Sequence, residues 1–127
     1  MNGRYLFDTN IAIAIVEREI NFQDHPKAQG FLNTTVLGEL FFGVEKSSRV
    51  EENLERLQHL RTVFPVLVCD DETARHYGII RYALLRKGRP IPDNDIWIAA
   101  SARQHGLTLA TRDGHFDYVD GLITETW

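Results

Sequence analysis

The feature that most constrains the fold is a repeated alternation of short apolar segments with longer amphipathic ones. Short apolar runs are typical of strands in parallel sheets, where helices cover both faces. The predicted strands are Arg4–Phe7, Phe31–Thr34, Pro65–Cys69, Leu107–Ala110 and a short fifth at Leu122–Ile123. The alternation therefore predicts a three-layer α/β/α fold with a central, mostly parallel sheet of about five strands.

Helices are predicted between these strands from apolar spacing and turn-forming residues. Val50, Leu54, Leu57 and Leu60 recur at spacings of four, three and three, which marks one amphipathic helix. The other predicted helices are Thr9–Arg18, Thr35–Lys46, a long helix from Asp70-Asp71 to Gly88, and Asn94–His105. The segment Asn21–Gly30 is predicted as a loop, with or without a helical turn, and Asp93 after Pro92 as a helix N-cap or a supporting residue.

Composition predicts one soluble domain spanning residues 1–127, because 43% hydrophobic and 25% charged residues are ordinary values for a globular protein. The single cysteine, Cys69, excludes an intramolecular disulfide and a cysteine-based zinc site, and we expect it to be a small buried residue. The longest apolar run, Ile11–Val16, is too short to cross a bilayer. We therefore expect a cytoplasmic protein without a membrane segment.

The net charge of −4 argues against a protein that holds nucleic acid by bulk charge alone. It does not exclude a nuclease, because bound divalent cations invert the local field. The densest basic segment contains Arg81, Arg86, Lys87 and Arg89. Two interpretations of this segment remain open, a solvated helix face and a surface that contacts phosphates.

Four acidic residues stand where the chain passes between strand and helix: Asp8, Glu39, Asp95 and Asp113. In a parallel α/β sheet, ligands bind outside the carboxyl ends of the strands, and these four positions are predicted at that edge. Carboxylates that lie within a few ångströms of one another raise each other's pKa or require a cation. Because oxygen-only ligand sets suit Mg²⁺ or Mn²⁺, we predict a metal-assisted attack on a phosphodiester.

Each acid taken alone also has a structural explanation. Asp8 precedes a helix and is a preferred N-cap, and Asp95 in a first turn suits the helix dipole. Glu39 lies at the border of an apolar stripe, where it pairs either with a ligand or with solvent and Lys46. Gly43, one turn further, suggests that something approaches closely there. An Asx-turn explains Asp113.

Thr111, which precedes Asp113 in the segment Thr111-Arg112-Asp113-Gly114, is either a turn former or a donor to the scissile phosphate. The neighbouring His115 and Phe116 are expected to be a surface and a core residue, respectively. A histidine general base stays possible, although a metal-activated water makes one unnecessary.

Four short motifs together resemble the acidic motifs of PIN-domain ribonucleases, in the family's order and at its usual separations. The motifs are Phe7-Asp8-Thr9-Asn10, Thr35-Val36-Leu37-Gly38-Glu39-Leu40, Asn94-Asp95-Ile96-Trp97-Ile98-Ala99-Ala100 and Leu109-Ala110-Thr111-Arg112-Asp113. The segment Phe116–Trp127 looks like that of VapC-type toxins from prokaryotic toxin–antitoxin pairs. The resemblance covers essentially the whole chain and implies a PIN-like fold.

The resemblance implies a metal-dependent endoribonuclease that acts on single-stranded or loop RNA, with transfer RNA as a candidate, and inhibits translation. Asp8, Glu39, Asp95 and Asp113 match the family's metal-binding acids, and Thr111 matches its accompanying hydroxyl. Asp8 and Asp95 are expected to hold Mg²⁺ or Mn²⁺ directly, while Glu39 and Asp113 ligate the ion or orient its waters. The expected products carry 5′-phosphate and 3′-hydroxyl ends.

The resemblance also implies a homodimer and a small cognate antitoxin that blocks the acidic pocket or the groove beside it. Leu37–Val44 is the candidate surface, because the adjacent Phe41 and Phe42 cannot both face one core. Phe42 either contacts a partner or packs beneath the neighbouring helix. The alternative functions are a metal-dependent nuclease or phosphatase with another substrate, and a non-catalytic PIN-like binding module. All four acids are present, which argues against the binding module.

Overall fold

The computed structural model describes residues 3–127, which form a five-stranded parallel sheet with helices packed against it. The strands are β1 (Gly3–Phe7), β2 (Ala28–Asn33), β3 (Val66–Leu67), β4 (Thr108–Ala110) and β5 (Thr124–Glu125). The α-helices are α1 (Thr9–Val16), α2 (Thr34–Glu45), α3 (Val50–Val63), α4 (Asp71–Lys87) and α5 (Asp93–His105). This architecture confirms the predicted three-layer α/β/α fold.

The sheet order, β3-β2-β1-β4-β5, places β1 at the centre with β2 and β4 as its neighbours. All four pairings are parallel. Leu6 of β1 pairs with Phe31 of β2, and Phe7 pairs with Ala110 of β4. The carboxyl ends of these three strands therefore reach the same edge of the sheet, and the residues that follow them meet there.

Local sequence explains where the helices begin and end. The Asp8 side chain accepts a hydrogen bond from the Ile11 N–H at the start of α1, and the buried Asn33 caps α2 in the same way. Asp70 caps α4 in a reciprocal arrangement with Thr73. Helix α5 ends at Gly106, whose φ of 63° is favourable for glycine.

Several predicted boundaries were wrong. Strand β2 begins at Ala28, inside the segment predicted as a loop, and β5 is Thr124–Glu125 rather than Leu122–Ile123. Helix α1 ends at Val16, two residues earlier than predicted. In each case the pairing partner or the chain reversal, rather than local apolarity, determines the boundary.

Two predictions about single residues were also wrong. Pro92, not Asp93, occupies the N-cap of α5, and the Asp93 carboxylate instead accepts a hydrogen bond from the Tyr77 hydroxyl at 2.9 Å. Cys69 is half-buried rather than buried, in contact with the Thr35 hydroxyl at 3.7 Å. A Cβ at Gly43 would meet no neighbouring group of the described residues within 4 Å, so the close approach predicted there does not come from this part of the chain, and Gly43 instead lines a groove.

Candidate active site

Strand register brings Asp8 and Thr111 together at the carboxyl edge of the sheet. The Asp8 N–H donates to the carbonyl of Ala110 at 3.2 Å, which extends the β1–β4 ladder by one residue. Asp8 and Thr111 are both buried, with only 6% and 4% of their surface exposed. The Thr111 hydroxyl donates to Oδ2 of Asp8 and accepts the Asp113 N–H at 3.0 Å. Thr111 therefore links two of the predicted acids.

Glu39 joins the same site from α2 through two hydrogen bonds. Its Oε1 accepts from the Thr9 hydroxyl at 2.7 Å, and its Oε2 accepts from the Asn94 amide at 3.0 Å. The alternative was a rim glutamate that pairs with solvent or with Lys46; no ion pair joins Glu39 to Lys46 within residues 3–127, so that pairing is wrong. Thr9 and Asn94 hold the carboxylate between α1 and α5, so Glu39 lies at the meeting point of three helices.

Asp95, Asp113 and His115 form the tightest part of the cluster, with one candidate ligand atom from each within 4.8 Å of the others. The His115 Nδ1 lies 3.1 Å from Oδ1 of Asp113 and 3.7 Å from Oδ2 of Asp95. The Asp113 side chain also accepts the His115 N–H, so the predicted turn is present as well. His115 is exposed, as predicted, yet it lies against two of the acids.

The electrostatics of the site reflect uncompensated negative charge. Burial raises the pKa of Asp8, and the carboxylates of Asp113 and Glu39 add to this effect, while hydrogen bonds from Thr111 and Ile11 oppose it. Burial likewise raises the pKa of Asp95 to about 6, and Asp113, Glu39 and Asp8 contribute in the same direction. The neighbouring His115 lowers the pKa of Asp95 in part.

Within residues 3–127, no lysine or arginine forms a salt bridge with any of the four acids. Carboxylates that share a partly buried site without a lysine or arginine partner favour a cation, and a set of carboxylate oxygens is the ligand chemistry that hard divalent ions prefer. The residues present therefore fit a divalent metal ion. All four predicted acids, together with Thr111, converge at this site.

Two supporting residues, Thr9 and Asn94, were not singled out from the sequence, and the position of a third, His115, was only partly predicted. Thr9 and Asn94 each stand next to a predicted acid, in the motifs around Asp8 and Asp95, and this adjacency was the available signal. His115 was considered as a general base but was expected at the surface. Its position two residues after Asp113 was the sequence signal that it lies near the acids.

The protein is therefore a parallel α/β protein with an acidic cluster at the carboxyl edge of its sheet. Comparison with known families shows which family of such proteins it belongs to. The PIN domain model matches residues 5–122. The chain belongs to the PIN domain family, which confirms the resemblance seen in its motifs.

Individual relatives are similar over nearly their full lengths. The chain is 33% identical to Ribonuclease VapC2 of Haemophilus influenzae over 129 residues, with 98% of each chain covered. It is 35% identical to the tRNA(fMet)-specific endonuclease VapC of Shigella flexneri over 132 residues, again with 98% of each covered.

Solved structures show the same fold. A chain of VapBC2 from Rickettsia felis, bound to a DNA fragment from the promoter, matches with a TM-score of 0.91 and 27% identity, with 98% of each chain covered. A chain of DNA-bound VapBC from Salmonella typhimurium matches with a TM-score of 0.90 and 30% identity, with 100% of this chain and 99% of that chain covered.

Proposed function

We propose that the protein is a Mg²⁺- or Mn²⁺-dependent endoribonuclease, the toxin component of a type II toxin–antitoxin system, and that it cleaves single-stranded or loop RNA. The observation that carries this proposal is the convergence of Asp8, Glu39, Asp95 and Asp113 at one sheet edge, where none of them pairs with a lysine or arginine of the described residues. The ribonuclease and tRNA(fMet)-specific endonuclease names of the relatives support RNA, with transfer RNA as a candidate substrate.

The residues have separate roles in this proposal. Asp8 and Asp95, whose carboxylates are the ones with raised pKa values, hold the ion directly. Glu39 and Asp113 ligate it or orient its waters. When bound, the ion supplies positive charge that activates a water for attack and stabilises negative charge on the phosphate. Thr111 fixes the Asp8 carboxylate through its hydroxyl.

The test is incubation of the purified protein with total RNA, with and without Mg²⁺ or Mn²⁺, beside the Asp8→Asn variant. We expect metal-dependent cleavage by the parent and a loss of at least about 100-fold in rate for the variant, because one direct ligand is lost. Asparagine keeps an oxygen that accepts the Ile11 N–H, so the α1 cap and the fold should be retained.

The matched control is Asp24→Asn, because Asp24 is an exposed acid outside the cluster. This variant should cleave RNA at the parental rate. A panel of RNA, DNA and small phosphate esters separates the proposed activity from a nuclease or phosphatase with another substrate. Equal RNA cleavage by the parent and Asp8→Asn would contradict the assignment of the site, and cleavage of none of these substrates would favour a binding module.

The proposed antitoxin covers a groove that begins at Glu39. This groove has a volume of about 280 Å³ and lies between α1, α2 and α3, with Ile13, Leu40 and Leu57 among its lining residues. Phe42 on α2 is 65% exposed, so the prediction that it packs beneath α3 is wrong. The match to chains of VapBC complexes supports an antitoxin partner.

The remaining parts of the proposal follow from the family resemblance. The protein acts as a single PIN-like domain over residues 1–127, forms a homodimer and works in the cytoplasm. In the described part of the chain, no helix is long and apolar enough to span a membrane. Size-exclusion chromatography with light scattering measures the oligomeric state directly.

A further inference from the structure

One tryptophan lies beside the active site without belonging to the apolar core. Trp97 on α5 is half-buried, and its indole stacks on the ring of Tyr77 from α4, with centroids 4.3 Å apart and planes at 22°. The Tyr77 side chain packs against the apolar core, whereas the Trp97 side chain does not. A flat aromatic surface held at the surface of a protein is suited to binding a ligand.

The stacked pair is held in place by polar contacts that the catalytic site does not use. The Tyr77 hydroxyl donates to Oδ1 of Asp93 at 2.9 Å and accepts from Nη1 of Arg81 at 3.0 Å. Asp93 and Arg81 thus both position the Tyr77 ring. The predicted helix cap does not account for this contact of Asp93, and solvation of the basic segment does not account for that of Arg81. Arg81 also places a positive charge beside the aromatic pair.

Trp97 forms one wall of a polar pocket of about 400 Å³. Thr34 and Thr35 at the start of α2 line it, together with Cys69 from the connection between β3 and α4 and Asp71, the first residue of α4. Asp71 is exposed and makes no side-chain hydrogen bond or salt bridge to other residues of the described chain, which leaves its carboxylate for a ligand. The pocket thus combines an aromatic wall, hydroxyl groups and a carboxylate.

The first three residues of α5 connect this pocket to the catalytic cluster. Asp93 contacts Tyr77, Asn94 contacts Glu39, and Asp95 belongs to the cluster. The pocket lies beyond the ends of β2 and β3, and the cluster lies beyond β1 and β4. Because neighbouring strands are about 4.8 Å apart, the two sites are separated by roughly 10 Å, which one or two nucleotides span.

We propose that this pocket binds an unpaired guanine of the RNA strand whose neighbouring phosphate enters the acidic cluster. The inference rests on the proposed function, since it names a subsite for that substrate. The base stacks on Trp97, as bases of single-stranded RNA do on aromatic side chains. The carboxylates repel a phosphate, so the base rather than the backbone occupies the pocket.

The carboxylate selects guanine among the four bases. Guanine carries two adjacent donors, N1–H and N2–H, on its Watson–Crick edge, and a carboxylate accepts both at once. Asp71 supplies this acceptor, and the Thr34 and Thr35 hydroxyls lie in reach of the remaining edge as donors or acceptors. Uracil, cytosine and adenine lack such a pair of adjacent donors, so each leaves part of the carboxylate without a partner.

Binding is measured by fluorescence anisotropy of a labelled hexaribonucleotide, five uridines and one guanosine, with the Asp8→Asn protein in Mg²⁺. RNA integrity is verified on a gel. The comparison RNAs carry inosine, which lacks the N2 amine, or uridine in place of guanosine. We expect binding to weaken at least about 5-fold for inosine and about 10-fold or more for uridine. Equal affinity for the three RNAs would overturn the selection of guanine.

Two pairs of variants test the residues. Asp71→Asn should abolish the preference for guanosine over inosine, whereas Glu72→Gln, which alters the adjacent exposed acid outside the pocket, should keep it. Trp97→Ala should weaken binding about 10-fold or more, with partial rescue in Trp97→Phe, whereas Tyr82→Ala, an exposed aromatic of α4, should bind as before. Asp71 is exposed, so its variant is expected to fold even if Trp97→Ala does not.

A spectroscopic readout places the base on the ring. The chain has two tryptophans, so Trp127→Phe leaves Trp97 as the sole indole fluorophore, and guanosine-containing RNA should quench its emission. Unchanged emission at saturating RNA would contradict stacking on Trp97. If the parent cleaves RNA but these variants bind like their controls, the pocket inference is wrong and the nuclease proposal stands. If the parent cleaves no RNA but the predicted binding differences appear, the nuclease proposal is wrong and the pocket inference stands.

Discussion

At the scale of single residues, the Asp8 carboxylate both caps a helix and lies among the other acids, two positions that the sequence presented as alternatives. One carboxylate oxygen caps α1 at the Ile11 N–H, and the other accepts from Thr111 and faces the acidic cluster. The same holds for Asp113, which forms its turn with His115 and contributes to the cluster. A capping role and a ligand role are compatible because a carboxylate accepts several hydrogen bonds at once.

We predict that Thr111→Val destabilises the protein by about 1–3 kcal/mol, because Oδ2 of Asp8 and the Asp113 N–H each lose a buried partner. Thr111→Ser keeps the hydroxyl and should lose less. Urea denaturation measures the free energy of unfolding, and Thr62→Val, at an exposed helix position, is the control. Equal stability of Thr111→Val and the parent would show that these hydrogen bonds contribute little.

A second prediction at this scale concerns pH. Burial and neighbouring acids raise the pKa of Asp95 from 3.8 to about 6, so the folded metal-free protein binds this proton more tightly than the unfolded chain. This contribution to stability is complete below pH 3.8 and is lost as the pH rises through about 6. Between pH 7.5 and pH 5, these pKa values correspond to a gain of at most about 1.4 kcal/mol, and we expect about 0.5–1 kcal/mol after allowing for solvent screening.

Asp95→Asn provides the comparison, because asparagine does not titrate. The difference in melting temperature between parent and variant, measured in EDTA, should shrink as the pH falls from 7.5 to 5. Saturating Mg²⁺ should weaken the pH dependence of the parent, since the ion replaces the proton. Parallel melting curves for the two proteins across this range would refute a raised pKa at Asp95.

At the scale of elements, close packing between β2 and its neighbours determines how the central strands meet. A Cβ at Gly30 would lie 2.5 Å from the Phe7 ring and 2.8 Å from the Phe64 ring. The rings of Phe7 and Phe64 meet edge to face, with centroids 5.1 Å apart. Gly30 therefore allows β2 to pass beneath an aromatic cluster, which explains a glycine inside a strand.

We predict that Gly30→Ala destabilises the protein by about 1–3 kcal/mol, because either aromatic ring must move to admit the methyl group. The control is Gly78→Ala on the exposed face of α4, where a Cβ meets nothing within 4 Å. This substitution should stabilise the protein by about 0.5–1 kcal/mol through helix propensity. Chemical denaturation of both variants measures the two effects, and changes of the same sign would contradict the packing argument.

At the scale of the whole molecule, the acidic cluster and an exposed apolar surface lie next to each other. Ile13, which lines the groove that starts at Glu39, is exposed, and so is Phe42 on the same helix as Glu39. A partner that covers the groove would shield these side chains and, at the same time, block the approach of RNA to the carboxylates. Inhibition by an antitoxin would then follow from the position of the groove.

We predict that Phe42→Asp leaves the melting temperature within about 2 °C of the parent, because the ring is exposed, and weakens antitoxin binding at least about 10-fold. Co-purification and calorimetry with the cognate antitoxin measure this binding. Ile123→Asp, at another exposed apolar position, is the control and should bind normally. Normal binding by Phe42→Asp would exclude this surface from the interface.

The sequence by itself determined the fold class, the order of the elements and the identity of the acids. These depend on local patterns: apolar periodicity, capping residues such as Asp70, and carboxylates at the ends of strands. Boundaries that depend on a pairing partner were wrong. Strand β2 starts at Ala28 because it pairs with β1, and the segment from Ala28 to Gly30 carries little strand signal of its own.

Only the tertiary structure decided how residues distant in sequence combine. Parallel register placed Thr111 against Asp8, and three helices meeting at Glu39 supplied Thr9 and Asn94. Packing of α4 along α5 likewise stacks Tyr77 on Trp97. It also places the Tyr77 hydroxyl where it donates to Asp93, which had been predicted as a helix cap. Such contacts depend on the positions of whole elements, and local propensity carries no information about them.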